Sequence, residues 1–253
     1  MKINFKLATF CLTLVVASQS HSAPINLIPP DSLIFSQVAT FKNALGGGTG
    51  TNYDAVFVSG GVSFAERFAG QINTPIGNFD VLSGLPTGQL SLTVGSAGQN
   101  LVVVGEAGSQ VLAGLGPAGF PNLNAFGEGS VAALFSTDQS QFGFDIFGIG
   151  PLSGGSAFLS FFRRDGSLIQ SLTLSGTGLI DGRFAFGRDG GVFDIAGVSI
   201  HNNDDGGIGF DNFRFSLSNG GGGSVPEPTS LALVGLALLG AYGARARVKN
   251  LKA

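Results

Sequence analysis

Residues 201–212 read His-Asn-Asn-Asp-Asp-Gly-Gly-Ile-Gly-Phe-Asp-Asn, the most polar stretch of a 253-residue chain. Closely spaced carboxylates and amides are the oxygen ligands that calcium takes. Residues 206–214 fit one copy of a glycine-rich calcium nonapeptide, but that architecture needs stacked repeats and no second copy follows. As an EF-hand loop the segment puts His201 at the first ligand position and Asn212 at the bidentate glutamate position, so that match fails. Asp211 carries a subtler signal. It shares the parity of Phe213, Phe215 and Leu217, which should face a core. Either a bulge at Asn212 turns it outward, or an inward carboxylate at the sheet rim needs a cation or N–H donors. Asp204, Asp205 and Asp211 are therefore the candidate calcium ligands, with an ordinary acidic turn as the competing reading.

Catalytic sets are thin. His201 is the only histidine beyond the N-terminal segment, and no Gly-x-Ser-x-Gly elbow is present to pair with it. Cys11, the only cysteine, lies inside an N-terminal apolar run, so neither a thiol nor a disulfide serves the remainder. One histidine without cysteine disfavours zinc. Glu66, Glu106, Glu128 and the aspartates could supply a glycosidase pair, as any acidic sandwich could. Residues 46–50, Gly-Gly-Gly-Thr-Gly, lack the lysine of a phosphate loop. The expectation is a protein that is not an enzyme.

The elements that must position these groups are strands. Glycine numbers 42 and phenylalanine 23, tryptophan is absent, and charged residues make up only 11%. Such a composition is poor in helix formers and suits strands joined by tight turns. Mean hydropathy of +0.36 excludes a disordered chain. Residues 141–147 alternate, with Phe142, Phe144 and Ile146 on one face. Residues 157–164 and 167–174 flank Asp165-Gly166, a two-residue hairpin signature of a type I′ turn. In the second arm Leu168, Leu172 and Leu174 share a face. Further strands are expected at 55–58, 90–94, 101–104, 131–135, 183–186, 195–200 and 210–217. These short strands predict a single Gly-rich antiparallel β-sandwich, most plausibly a jelly roll. A β-helix competes, but no repeat period supports it.

Both ends read as addresses. Lys2 and Lys6 precede the apolar run 7–17 and a small-residue stretch, the layout of a signal peptide over residues 1–22. Cleavage is expected after Ser22 or Ser20. The folded ectodomain then spans 23–218, followed by a Gly-rich linker at 219–224. Within the ectodomain seven basic side chains face fifteen acidic ones, a net charge of −8. That charge repels anionic lipid and acidic polysaccharide unless a cation bridges them, and it excludes nucleic acid as a partner.

Val225, Pro226, Glu227 and Pro228 precede an apolar stretch at 231–244 and a basic tail with Arg245, Arg247 and Lys249. This order of parts over residues 225–253 resembles the PEP-CTERM sorting signal of Gram-negative bacteria. Residues 229–244 would make a helix about 24 Å long, short against a hydrocarbon core of about 30 Å. The basic tail suits the cytoplasmic side. The resemblance implies processing by an exosortase, transient inner-membrane insertion through this short transmembrane helix, and delivery to the cell surface or beyond. Segments 61–68, 142–145, 161–166, 195–200 and 209–213 also resemble secreted proteins that carry this tail, which implies a jelly-roll-like domain without assigning an activity. Jelly-roll modules often seat a calcium where the last strand begins, which the Asp211-Asn212 pair resembles. The expected function is a non-catalytic extracellular-matrix protein associated with exopolysaccharide and biofilm. A lectin-like carbohydrate-binding module and a polysaccharide hydrolase are the alternatives.

Overall fold

A computed structural model describes residues 23–45, 49–106, 108–150, 154–175 and 182–216. The expected signal helix, linker and C-terminal helix lie outside the described residues. The chain divides into two units, residues 1–217 and 218–253, and the account below concerns the first. Among the described residues no helix is long and apolar enough to cross a membrane.

The structure is all-β. A nine-stranded sheet runs in the order β1 (Ile25–Leu27), β17 (Arg183–Arg188), β14 (Gln141–Gly148), β19 (Ile208–Phe215), β11 (Ser109–Leu115), β10 (Leu101–Glu106) and β3 (Thr51–Tyr53). To it β12 (Phe126–Gly129) adds on β11, and β2 (Gln37–Ala39) adds on β19. A six-stranded sheet has the order β16 (Leu168–Ser175), β15 (Ser156–Phe162), β18 (Ile195–Asn202), β13 (Val131–Gln139), β5 (Val62–Ala65) and β4 (Phe57–Ser59). Two small ribbons complete it, β6 (Arg67–Phe68) with β9 (Leu92–Thr93) and β7 (Ile72–Ile76) with β8 (Phe79–Ser83). Every pairing among the described residues is antiparallel, which excludes the β-helix.

Period-2 alternation sends one row of each sheet inward. From the larger sheet come Phe142, Phe144, Phe186, Phe210, Phe213 and Phe215, and from the smaller one Phe64, Phe135, Phe161, Val198 and Ile200. The rings meet across the gap: Phe64 and Phe213 at 4.9 Å, Phe135 and Phe142 at 5.0 Å, Phe161 and Phe186 at 5.3 Å between centroids. Tilted and edge-on pairs at this range add to plain area burial. The outer faces are also partly covered. Val102, Val104, Val111 and Phe126 form a second cluster, and Phe68, Leu90, Ala132 and Phe162 a third. Burial on both sides explains why 101–104 reads as a continuous apolar run rather than an alternation.

The 157–174 hairpin forms, but not through a two-residue type I′ turn. Gly166 N donates to Arg163 O at 3.0 Å, and Gly166 alone takes positive φ, at 85°. Asp165 bonds forward to the Ser167 amide and hydroxyl at 2.9 and 2.6 Å. An Asx-type bond keeps Asp165 out of the left-handed region that a type I′ turn requires. The register slips between Phe161 and Phe162. Leu168 is thereby left 39% exposed, while Ile169, Leu172 and Leu174 pack toward the core.

Phe213 sits among Phe41, Phe64, Phe144 and Phe210. Urea denaturation of Phe213→Ala should show a loss of about 3–5 kcal/mol. Val58→Ala on the exposed edge strand β4 should stay within about 0.5 kcal/mol. Equal losses for the two would contradict this placement of the core.

Candidate functional site

The polar 201–212 segment becomes the end of β18, a turn closed by Gly207 N donating to Asp204 O at 2.8 Å, and the start of β19. Asp204, fully buried, accepts from Gly155 N at 2.8 Å and Gly206 N at 3.0 Å. The Asn202 side chain accepts from Asp204 N at 3.0 Å and donates to Gly127 O at 2.7 Å. Asn203 accepts from Ser156 N at 2.7 Å. Gly207 has φ +67°, and a Cβ there would lie 2.2 Å from Phe126 O, so only glycine fits. The amides and carboxylates of this stretch thus fasten two neighbouring backbone segments and the turn itself. His201 stacks on Phe158 with centroids 5.0 Å apart, and burial lowers its pKa.

Asp211 lies where β19 changes neighbours, from β11 at Leu112–Phe210 to β2 at Phe213–Ala39. Asn212 takes φ 51°, and the β14–β19 register shifts beside it. That bulge puts both Phe210 and Phe213 in the core and turns Asp211 to the opposite face. There it pairs in register with Asp145. Its carboxylate accepts from Asn212 N at 2.7 Å and Ser109 Oγ at 3.0 Å, with the Phe41 amide as a further donor. Burial raises its pKa, against the pull of those donors. Asp145 is neutralised by Arg214 in a two-pronged pair at 2.6 and 2.8 Å.

The expected calcium set is therefore not assembled. Asp204 and Asp211 spend their oxygens on N–H and O–H donors in separate places. Among the described residues no group of three or more His, Cys, Asp or Glu side chains gathers as a metal set. The sorting residues Val225, Pro226, Glu227 and Pro228, and Arg245, Arg247 and Lys249 behind them, lie outside the described residues.

Two clefts hold the acids that sequence alone did not separate from the rest. The first, about 440 Å³, is lined by Glu106, Phe126, Glu128, Ile149 and Asp205 among others, with no basic residue among the described residues of its wall. Glu128 is 4% exposed and its Oε2 has no hydrogen-bond partner. Burial first, then the nearby charges of Asp205 and Asp204, pushes its pKa up to about 8. The second cleft, about 600 Å³, lies between the β7–β8 ribbon and the link from β5 to β6, and carries Glu66, Arg67, Asn73 and Asp80. Glu66 and Asp80 are buried, and burial pushes the Asp80 pKa up to about 6. Asn73 Nδ2 donates to Glu66 Oε1 at 2.8 Å, and the same side chain hydrogen-bonds Asp80. Glu66 Oε2 pairs with the Arg67 guanidinium.

Asn100 builds this second place. Fully buried, it donates to Tyr53 O and Ala55 O at 2.7 and 3.0 Å and accepts from Glu66 N and Gly95 N at 2.9 and 3.2 Å. Gly95 is required beside it, since a Cβ would lie 2.3 Å from Gln99 O. The sequence carried Glu66 only as one acid among many, with no strand expected over 62–65 or 67–68.

A raised carboxyl pKa means that the folded state holds its proton more tightly than the unfolded chain. The stability Glu128 contributes is complete below about pH 4.5, its ordinary value, and is lost as pH rises through about 8. Glu128→Gln should therefore melt several degrees higher than wild type at pH 8.5, with the difference shrinking toward pH 4.5. A pH-independent difference would place Glu128 in an ordinary solvated environment.

No curated protein and no solved structure matches this chain. Residues 224–248 match the family model described as PEP-CTERM protein-sorting motif. The match begins one residue before Val225 and takes in the Pro226-Glu227-Pro228 tripeptide, the apolar stretch and the basic residues up to Arg247. Such a motif marks exosortase-dependent sorting of an exported protein by way of a membrane-anchored precursor, and this chain carries it.

Proposed function

We propose that the protein is a non-catalytic component of the extracellular matrix, sorted by exosortase and associated with exopolysaccharide in a biofilm. The sorting motif at 224–248 is the observation that carries this reading. In it, residues 1–22 direct export and the apolar stretch 231–244 inserts briefly into the inner membrane, with Arg245, Arg247 and Lys249 kept in the cytoplasm. Exosortase then cuts near Pro226-Glu227-Pro228 and releases the β domain at the surface. The domain's jelly-roll-like ancestry belongs to the same proposal. A domain of net charge −8 suits a secreted matrix component that stays dispersed until a polymer holds it.

What supports a non-catalytic role is the use to which the chemistry-bearing residues are put. His201 is stacked against Phe158, and Asp204 and Asp211 bond to backbone. The carbohydrate-binding alternative gains one observation of its own, the polar cleft at Asn73, taken up below.

Intact mass of the protein from culture supernatant should lack residues 231–253. Replacing Pro226 and Pro228 together with Ala should leave the full-length C-terminus in the membrane fraction. Recovery of residues 231–253 in the supernatant form would refute the sorting step. Unchanged matrix content of the protein in cells lacking exopolysaccharide would refute the association.

A further inference from the structure

The second cleft is the place where buried polar side chains concentrate beside open volume. Glu66, Gln71, Asp80 and Asn100 are each no more than 7% exposed and stand around or directly beneath about 600 Å³ of space. That volume is in the range of small-molecule sites. Two of these side chains are held in place within the protein. Asn100 makes four bonds, and Gln71 joins Phe68 N at 3.0 Å and Ser199 Oγ at 3.1 Å. They form a fixed floor. Others keep capacity. Asn73 Oδ1 is buried without a hydrogen-bond partner. An amide oxygen in that state has given up water without a replacement bond. Its own nitrogen is held by Glu66, so the amide cannot turn away to relieve it.

The wall chemistry narrows the ligand. Arg67 is half of an ion pair with Glu66, and Asp80 stands close by. An anionic ligand would meet two carboxyl groups against a single guanidinium that is already paired. A ligand rich in hydroxyls fits better, because a hydroxyl can both donate to Asn73 Oδ1 and accept from Arg67. Ile72, Pro75, Val94 and Pro117 supply small apolar surfaces around the polar floor, as the C–H faces of a sugar ring require. We propose that the cleft between the β7–β8 ribbon and Glu66 binds a neutral saccharide, with Asn73, Asp80 and Arg67 as the residues that hold its hydroxyls. The proposal rests on the exopolysaccharide association above and names where on the domain that contact is made.

Affinity electrophoresis tests it with protein purified from culture supernatant, run through gels containing the culture's own exopolysaccharide, a neutral β-glucan or polygalacturonate. Wild type should be retarded by the exopolysaccharide and the neutral glucan and pass freely through polygalacturonate. Loss of one buried hydrogen bond to the ligand predicts about tenfold weaker retention for Asn73→Ala and for Asp80→Asn. Thermal melts of both variants establish that they fold, and Asp80→Asn should melt no lower than wild type at pH 7.5 because it removes a buried charge. Equal retention of wild type and both folded variants by the exopolysaccharide would overturn the cleft and leave the matrix association standing. Absence of retention in all three gels would overturn both. Stronger retention by polygalacturonate than by the neutral glucan would overturn the ligand class.

Discussion

Phenylalanine rings that cross between the two sheets are the interaction on which the rest of the domain depends. The twelve largest fully buried side chains are all phenylalanine. A phenyl ring brings large apolar area and no polar atom, so it can be buried without a partner at any depth. The composition expresses this choice, with 23 phenylalanines, two tyrosines and no tryptophan. Because the gap between the sheets asks for no hydrogen bonds, the polar groups that must be buried are displaced to the outer faces and the rims. There many of them bond to backbone. Asp204, Asp211, Asn100 and Asn202 each bond main-chain groups of a neighbouring segment.

Buried charge, by contrast, is met by a side chain of opposite charge. Asp194 receives Arg188 through two bonds at 2.6 and 2.9 Å and Arg163 through a third at 2.9 Å. Since Arg188 belongs to the larger sheet and Arg163 follows β15 of the smaller one, this aspartate ties the sheets together at one rim. The Arg188 side chain is only 2% exposed. A charge that deep is stable only with such a partner. Glu128, whose Oε2 has no hydrogen-bond partner among the described residues, lines a cleft.

The fold class was legible because both of its signatures are local. Alternation in 141–147 placed Phe142, Phe144 and Ile146 inward, and the structure agrees with all three at 0% exposure. Asp211 was ambiguous for a physical reason. Its parity matched Phe213, yet one left-handed residue, Asn212, resets the parity; a bulge at this asparagine was one of the two readings, and the pattern alone did not choose between them. The Asp165-Gly166 turn misled because a side-chain bond to Ser167 outweighed the dipeptide's usual preference. The Asn73 cleft was not legible at all. Its parts come from residues 66–80 and 94–117, and the β6–β9 ladder together with the bonds of Asn100 to Glu66 and Gly95 brings them to one wall. The sorting motif, by contrast, is linear by nature and was read whole.

The position of β19 has a mechanical consequence. It is the last described strand and lies inside the nine-stranded sheet, bonded to β14 on one side and to β11 and β2 on the other. A pull transmitted through the chain beyond Phe215 therefore falls on a strand with no free edge. Such a strand cannot be peeled off one bond at a time. It must slide against three neighbours at once, dragging Phe210, Phe213 and Phe215 through the packed rings of the core. Load entering the domain from its C-terminal side is thus shared across many bonds in parallel, and the domain resists tension along that line far better than an edge-strand exit would allow.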